Sequence, residues 1–141
     1  MAASEAIGGM GTALRRNGTE VAEVVDIGGP ELSAETIDVT HLKSTAYWRE
    51  FIGNLKDGGE LTFVVNLILS NPTHNAATGL LSTLAGLTGP PRDTWDIVFP
   101  DIAATTWTVY GPLTNYKTGA SIDDKLQAEV TVKVSGPPVL V

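Results

Sequence analysis

Apolar and polar residues alternate along several short runs of the chain, and these runs predict strands. The cleanest run lies near the end. From Asp124 to Ser135, one face holds Leu126, Ala128, Val130, Val132 and Val134, and the other holds Lys125, Gln127, Glu129, Thr131 and Lys133. A period of two predicts a half-buried strand of an antiparallel sheet. Glu60 to Ser70 repeats it, with Leu61, Phe63, Val65, Leu67 and Leu69 opposite Glu60, Thr62, Val64, Asn66 and Ile68. Shorter strands are predicted at Thr12 to Arg16, Thr19 to Ile27, Thr36 to Thr40 and Thr94 to Phe99. Asn17-Gly18 marks a tight hairpin turn between the first two. In the second, Val21, Val25 and Ile27 share a face, and Gly28-Gly29-Pro30 stops the strand. A run from Thr105 to Tyr116 is interrupted by Pro112, which has no N–H for a ladder, so a bulge or edge is expected there.

One stretch has a different period. After Asn71-Pro72-Thr73, a helix start, Ala76, Ala77, Leu80, Leu81, Leu84 and Leu87 recur at three- and four-residue spacing. This predicts one amphipathic helix, ended by Gly86 or Gly89 before Pro90-Pro91. The expected core is Leu61, Phe63, Val65, Trp95, Ile97, Trp107, Val130 and Val132 with Leu80, Leu81 and Leu84 of the helix. Residues 40–58 alternate poorly and read as a long loop with surface to bury elsewhere, since long loops are usually functional. Residues 1–11, rich in glycine, read as an N-terminal arm, and Gly136-Pro137-Pro138 ends the fold before an apolar tail. The organisation expected is one domain over 12–141, a mainly β sandwich or barrel flanked by one helix.

Composition sharpens this. Of 141 residues 43% are hydrophobic and only 18% charged, below the usual quarter or so, and mean hydropathy is +0.10. Such a surface predicts burial in an oligomer. The net charge of −7 argues against a protein that grips nucleic acid by its phosphates. Without cysteine there are no disulfides or thiolate metal sites. No apolar run reaches the length of a membrane helix. Met1 to Met10 lacks the pattern of a signal peptide, so a cytosolic origin is the default expectation.

The search for chemistry finds little. His41 and His74 stand far apart, and solvent contact or interface packing is expected of both. Ser44 lies near His41 without a nucleophile elbow around it. Asp93, Asp96 and Asp101 do not have the spacing of a calcium loop, and Asp123-Asp124 suits a turn. Gly8-Gly9-Met10-Gly11 has no phosphate-loop lysine after it. No catalytic residue, cofactor or metal is expected, and the residues point to an assembly or binding protein.

Two long blocks carry a resemblance. One is Thr36-Ile37-Asp38-Val39-Thr40, Leu42-Lys43-Ser44-Thr45, Tyr47, Arg49-Glu50-Phe51-Ile52, then Leu55-Lys56-Asp57-Gly58-Gly59-Glu60 and Leu61-Thr62-Phe63. The other is Trp95-Asp96-Ile97-Val98-Phe99-Pro100, Thr106-Trp107-Thr108, Asp123-Asp124-Lys125-Leu126 and Val130 to Gly136. Together they resemble the major tail tube protein of long-tailed, non-contractile bacteriophages, over roughly Gly18 to Leu140. The resemblance implies a β-sandwich with one flanking helix. It implies hexameric rings that stack into a tube, with inner sheets joined around each ring as a continuous β-barrel. Double-stranded DNA would pass through the lumen without specific binding. The long loop over 40–58 would bridge rings, with Tyr47, Trp48, Arg49, Phe51 and Ile52 as anchors. The polar faces of the two longest strands, Glu60, Thr62 and Asn66 with Gln127, Glu129 and Thr131, would line the lumen. Other copies, tape measure, tail tip and tail terminator proteins are the implied partners, within a virion or virion-like particle assembled in the bacterial cytoplasm. Gene-transfer-agent tails and type VI secretion tubes share the fold, so a secretion-like tube is an alternative. A carbohydrate- or receptor-binding β-sandwich module, using Tyr47 and Trp48, is another.

Overall fold

The computed structural model describes residues 4, 6–75, 78–80 and 93–141. Within them the chain forms β1 (Ala13–Arg16), β2 (Thr19–Glu20), β3 (Val24–Gly28), β4 (Ser33–Asp38), β5 (Phe51–Asp57), β6 (Glu60–Asn66), β7 (Asp93–Val98), β8 (Thr106–Gly111), β9 (Leu113–Ser121), β10 (Asp124–Lys133) and β11 (Val139–Leu140). Every pairing is antiparallel. One sheet runs β11-β8-β7-β1-β2 and a second runs β3-β6-β10-β9, while β4 and β5 pair only with each other. Neither sheet closes into a barrel among the described residues.

The two sheets pack face to face because each alternates. Leu14, Trp95, Ile97 and Val109 of the first are buried with Leu61, Phe63, Val65, Leu113, Ala128, Val130 and Val132 of the second in one cluster. Phe63 and Trp95 meet across the interface, ring centroids 5.5 Å apart and planes tilted by 48°, a geometry aromatic quadrupoles favour. The Trp95 indole N–H donates to the Gly111 carbonyl at 3.2 Å. The expected core is thus buried, except that Trp107 is half-buried against its margin. Leu80 is buried, whereas Leu81 and Leu84 lie outside the described residues.

The predicted helix falls mostly outside the described residues too. Where its residues are described, 71–75 and 78–80, they form turns and bends and not the expected helix; Asn71 Oδ1 accepts from the Thr73 N–H at 2.9 Å and the Thr73 hydroxyl at 2.7 Å and so holds a local turn. His74 differs from expectation: it is buried, not at the surface. Its Nδ1 accepts from the Ile68 N–H at 3.1 Å and its Nε2 lies 2.7 Å from the Ala22 carbonyl. One accepting and one donating nitrogen make a satisfied neutral imidazole that ties this turn to the segment between β2 and β3.

Three other readings change. Thr19 to Ile27 is two strands in different sheets, broken before Val24 where Glu23 takes φ 51°. The pairing of β3 with β6 is irregular between Val24 and Asp26, so Val24 and Ile27 turn inward and Val25 is exposed. Thr105 to Tyr116 is also two strands, passing from one sheet to the other at Pro112. Gly111 permits this crossing, because a Cβ there would overlap the Lys133 carbonyl. The apolar tail does not trail away; Val139 and Leu140 pair with Thr108 and Trp107 at the sheet edge.

A buried ion pair secures the first sheet. Arg16 Nε donates to Asp93 Oδ2 at 2.9 Å and Nη1 donates to the Gly79 carbonyl at 3.0 Å. Asn17 Nδ2 donates to the other Asp93 oxygen at 3.0 Å, and Asn17 Oδ1 accepts from the Thr94 N–H at 2.9 Å. The Arg16 and Asp93 side chains are only 14% and 5% exposed. Removing one partner strands the other charge, which usually costs about 3–5 kcal/mol. Asp93→Ala is therefore expected to lower unfolding free energy by about that amount in urea titration, and Asp93→Ala with Arg16→Met by clearly less.

Candidate functional site

The segment read as a loop over 40–58 is largely a hairpin. Its second strand, β5, pairs with β4 from Ser33↔Asp57 to Asp38↔Phe51. The tip carries a short 3-10 turn, Thr45–Tyr47. Every residue of both strands is exposed, so neither face rests on the sandwich. Ile37 stands opposite Ile52 on one face, and Phe51 stands opposite Asp38 on the other. Relative exposure is 103% for Tyr47, 75% for Trp48, 54% for Phe51 and 52% for Ile52. The expected anchors are thus gathered on one projecting element, Arg49 among them, its Nη1 3.4 Å from Asp38. Leu42 and Leu55 add apolar surface that the sequence reading passed over.

Local polar contacts hold the hairpin's shape. The Thr40 N–H donates to Asp38 at 2.9 Å, and the Glu50 N–H donates to the Thr40 hydroxyl at 2.8 Å. Ser44 Oγ donates to Glu50 at 2.6 Å, and His41 Nε2 lies 3.5 Å from the same carboxylate. Ser, His and an acid do converge, but Ser44 bonds the acid and not the imidazole. His41 Nδ1 accepts from the Lys43 N–H at 3.2 Å. The imidazole is not placed to take the hydroxyl's proton, and the trio orders the tip. At the other end, Asp57 accepts from the Gly59 N–H at 2.8 Å and lies 3.4 Å from Lys133 Nζ. These two partners, the amide first, hold its carboxyl below the ordinary 3.8.

The second candidate surface is the outer face of the second sheet. Glu60 pairs with Lys133, Thr62 with Thr131, Val64 with Glu129 and Asn66 with Gln127. All six residues assigned to the channel therefore share one face. Asp26 of β3 stands beside Val64, and Lys117 of β9 beside Glu129. Among these paired positions, Asp26, Glu60 and Glu129 stand with Lys117 and Lys133, so the face is nearly balanced in charge. Asn66 is the exception to an open polar face: its Oδ1 is enclosed without a hydrogen-bond partner among the described residues. The outermost strands of this sheet, β3 and β9, have no further strand paired to them among the described residues.

The acids that prompted a metal search serve local structure. Asp93 holds Arg16, Asp96 accepts from Thr108 Oγ1 at 2.7 Å, and Asp101 accepts from the Thr105 N–H and hydroxyl at 2.7 and 2.6 Å. No group of three potential metal-ligating side chains occurs among the described residues. No helix among them is long and apolar enough to cross a membrane.

Among the described residues, the sandwich carries an exposed apolar hairpin and two outer strand edges. The family model for the lambda phage tail tube protein matches residues 12–141, and the chain belongs to that family. The family is one of structural tail proteins, so the chain is a structural tail component and not an enzyme. No match was found among curated proteins. Among solved structures, a chain in the tail of an empty gene transfer agent particle, refined with C6 symmetry, is similar at 17% identity and TM-score 0.72, covering 96% of this chain and 99% of that one. A chain of the sheath/tube terminator of an extracellular contractile injection system has 13% identity and TM-score 0.76, with 99% of each chain covered. A chain of the anti-feeding prophage cap has 11% identity and TM-score 0.78, covering 100% and 94%. These likenesses show a shared fold.

The hairpin's order is tied to pH through Asp38. Hydrogen bonds from the Thr40 side chain and backbone, with Arg49 adding attraction, hold its carboxyl below the ordinary 3.8. A depressed folded value means the stabilisation is complete above the unfolded value and is lost as pH falls through the folded one. Amide exchange at Thr40 is expected to accelerate as pH drops below 3.8, after correction for intrinsic exchange. Asp38→Asn should abolish that step while leaving sandwich amides unchanged.

Proposed function

We propose that this chain is the repeating subunit of a phage-type tail tube. Copies associate into hexameric rings, the rings stack, and double-stranded DNA passes along the lumen without specific binding. The observation that carries this reading is the hairpin: two strands with apolar residues on both faces and no sheet behind them. A two-stranded hairpin is marginal in water, and exposed Tyr, Trp and Phe are the side chains that anchor interfaces. In the assembled tube, Tyr47, Trp48, Arg49, Phe51 and Ile52 bridge one ring to the next.

The open edges of β3 and β9 support sideways association, since joining edges around a ring removes the aggregation hazard they present. The second sheet then turns its polar face to the channel, with Glu60, Thr62, Gln127, Glu129 and Thr131 along it. Acids flanked by lysines and neutral hydroxyls offer phosphate no basic track, which suits a wall that DNA passes and leaves. Tape measure, tail tip and terminator proteins are the partners such a tube requires, and the particle's tail is its location.

Replacing Trp48 and Phe51 together by alanine is expected to leave a folded monomer by circular dichroism and almost no tubes by electron microscopy. Normal tubes from that variant would remove the hairpin from ring stacking. Changing Glu60 and Glu129 to lysine addresses the channel separately. Tubes should still form, while DNA delivery by the particle slows and becomes salt-dependent as phosphates are caught. Intact tubes with unchanged delivery would place these residues elsewhere.

A further inference from the structure

The turn between β1 and β2 sets a reactive dipeptide against a buried carboxylate. An asparagine followed by glycine is chemically labile, because glycine has no side chain to hinder its nitrogen from attacking the asparagine amide. Asn17, before Gly18, is so placed. Asn54, Asn66, Asn75 and Asn115 precede residues with side chains, and Asn71 precedes proline, which has no N–H. Both turn residues are exposed to water. The asparagine is nevertheless clasped by β7. Its Nδ2 donates to Asp93 Oδ1 at 3.0 Å, its Oδ1 accepts from the Thr94 N–H at 2.9 Å, and its own N–H donates to the Thr94 carbonyl at 2.8 Å.

We infer that Asn17 is a deamidation site that folding closes. In this reaction the Gly18 nitrogen bonds to Asn17 Cγ, the Cγ–Nδ2 bond breaks, and ammonia leaves with the proton that the Gly18 amide gave up. The cyclic imide then takes up water at one carbonyl or the other, giving aspartate or isoaspartate. The first step requires Cγ to turn toward Gly18, and the bonds to Asp93 and Thr94 hold it at β7 instead. Deamidation therefore proceeds where the turn is detached, in a chain that is unfolded or locally open. The products do not fit the clasp. Aspartate sets a carboxylate oxygen where Nδ2 stood, facing Asp93 Oδ1 across the 3.0 Å that a hydrogen bond spans in the native chain. Two carboxylates so close ionise together only at a cost. Arg16 already holds the other Asp93 oxygen, and Thr19, Pro72, Thr73 and Thr78, which border the same hollow, carry no charge. Isoaspartate lengthens the backbone of a turn whose two residues set Arg16 opposite Thr19. A chain modified while unfolded thus loses the clasp between β1 and β7, and a chain that folds promptly keeps it.

A tryptic peptide that starts after Arg15 or Arg16 and ends at Lys43 contains Asn17 as its one side-chain amide. Full-length protein is held at mildly alkaline pH in buffer and in urea, and this peptide is weighed over time. A gain of one mass unit is expected in urea, and a rate at least about tenfold slower in buffer, the protection that a few hydrogen bonds confer on a closed turn. Equal rates would overturn the inference. The effect of the product is read from two variants: Asn17→Ser loses the amide without adding charge, and Asn17→Asp adds the charge. At neutral pH the urea midpoint of Asn17→Asp is expected to lie below that of Asn17→Ser. The gap should close as pH falls, since a carboxyl beside another has a raised folded pKa and its penalty disappears below that value. Failure of Asn17→Asp to fold at neutral pH, where Asn17→Ser folds, supports the same clash. Coincident midpoints at neutral pH would overturn it.

Discussion

Two strands cannot make a core. The β4–β5 hairpin leaves its apolar residues in water on both sides, and the rest of the molecule is arranged to hold it there. The sandwich beneath is complete without it: Phe63 and Trp95 join the sheets, and the buried side chains form one cluster. A finished core with an unfinished appendage divides the labour of the chain. Folding consumes one set of apolar residues, and in the proposed tube association consumes the other. The low fraction of charged residues accords with that proposal.

Where a strand has one buried and one polar face, the sequence announces it. β10 and β6 could be drawn from their alternation, and their register then brings Thr62 against Thr131 and Glu60 against Lys133. Asn17-Gly18 likewise marks its turn, with φ of 51° and 86°. The hairpin escaped this reading because Ile52 and Phe51 lie on opposite faces and both are apolar, so no alternation appears between 51 and 57. The residues proposed as its anchors stand out by residue type and by resemblance to a known family, although their secondary structure does not. An irregularity at Val25 and a change of sheet at Pro112 defeated a simple period for related reasons. Each depends on a partner strand distant in sequence, which a local pattern does not contain.

Polar residues fix the frame that presents these surfaces. Arg16, Asn17 and Asp93 join the first hairpin to β7, while His74 fastens the turn after β6 to the backbone of Ala22. A buried charge pair adds little net stability over an apolar substitute, but its directional bonds tie Arg16 and Asn17 to Asp93 across the β1–β7 pairing. Sequence alone did not show this, because a buried ion pair and two solvated side chains look the same when only residue types are seen.

In the proposed tube, the hairpin's isolation would also govern when assembly begins. Two lone free copies meeting in solution would each have to hold a marginal hairpin in order at the moment of contact, and the lost entropy is of order 1 kcal/mol for every residue fixed. A copy arriving at an already ordered end orders only its own. Growth is thereby favoured over initiation, and a pool of subunits can persist in solution until a template starts the process. In such a tube the exposed strands that join the subunits would also delay their polymerisation, so that length and starting point are left to whatever supplies the first ordered end.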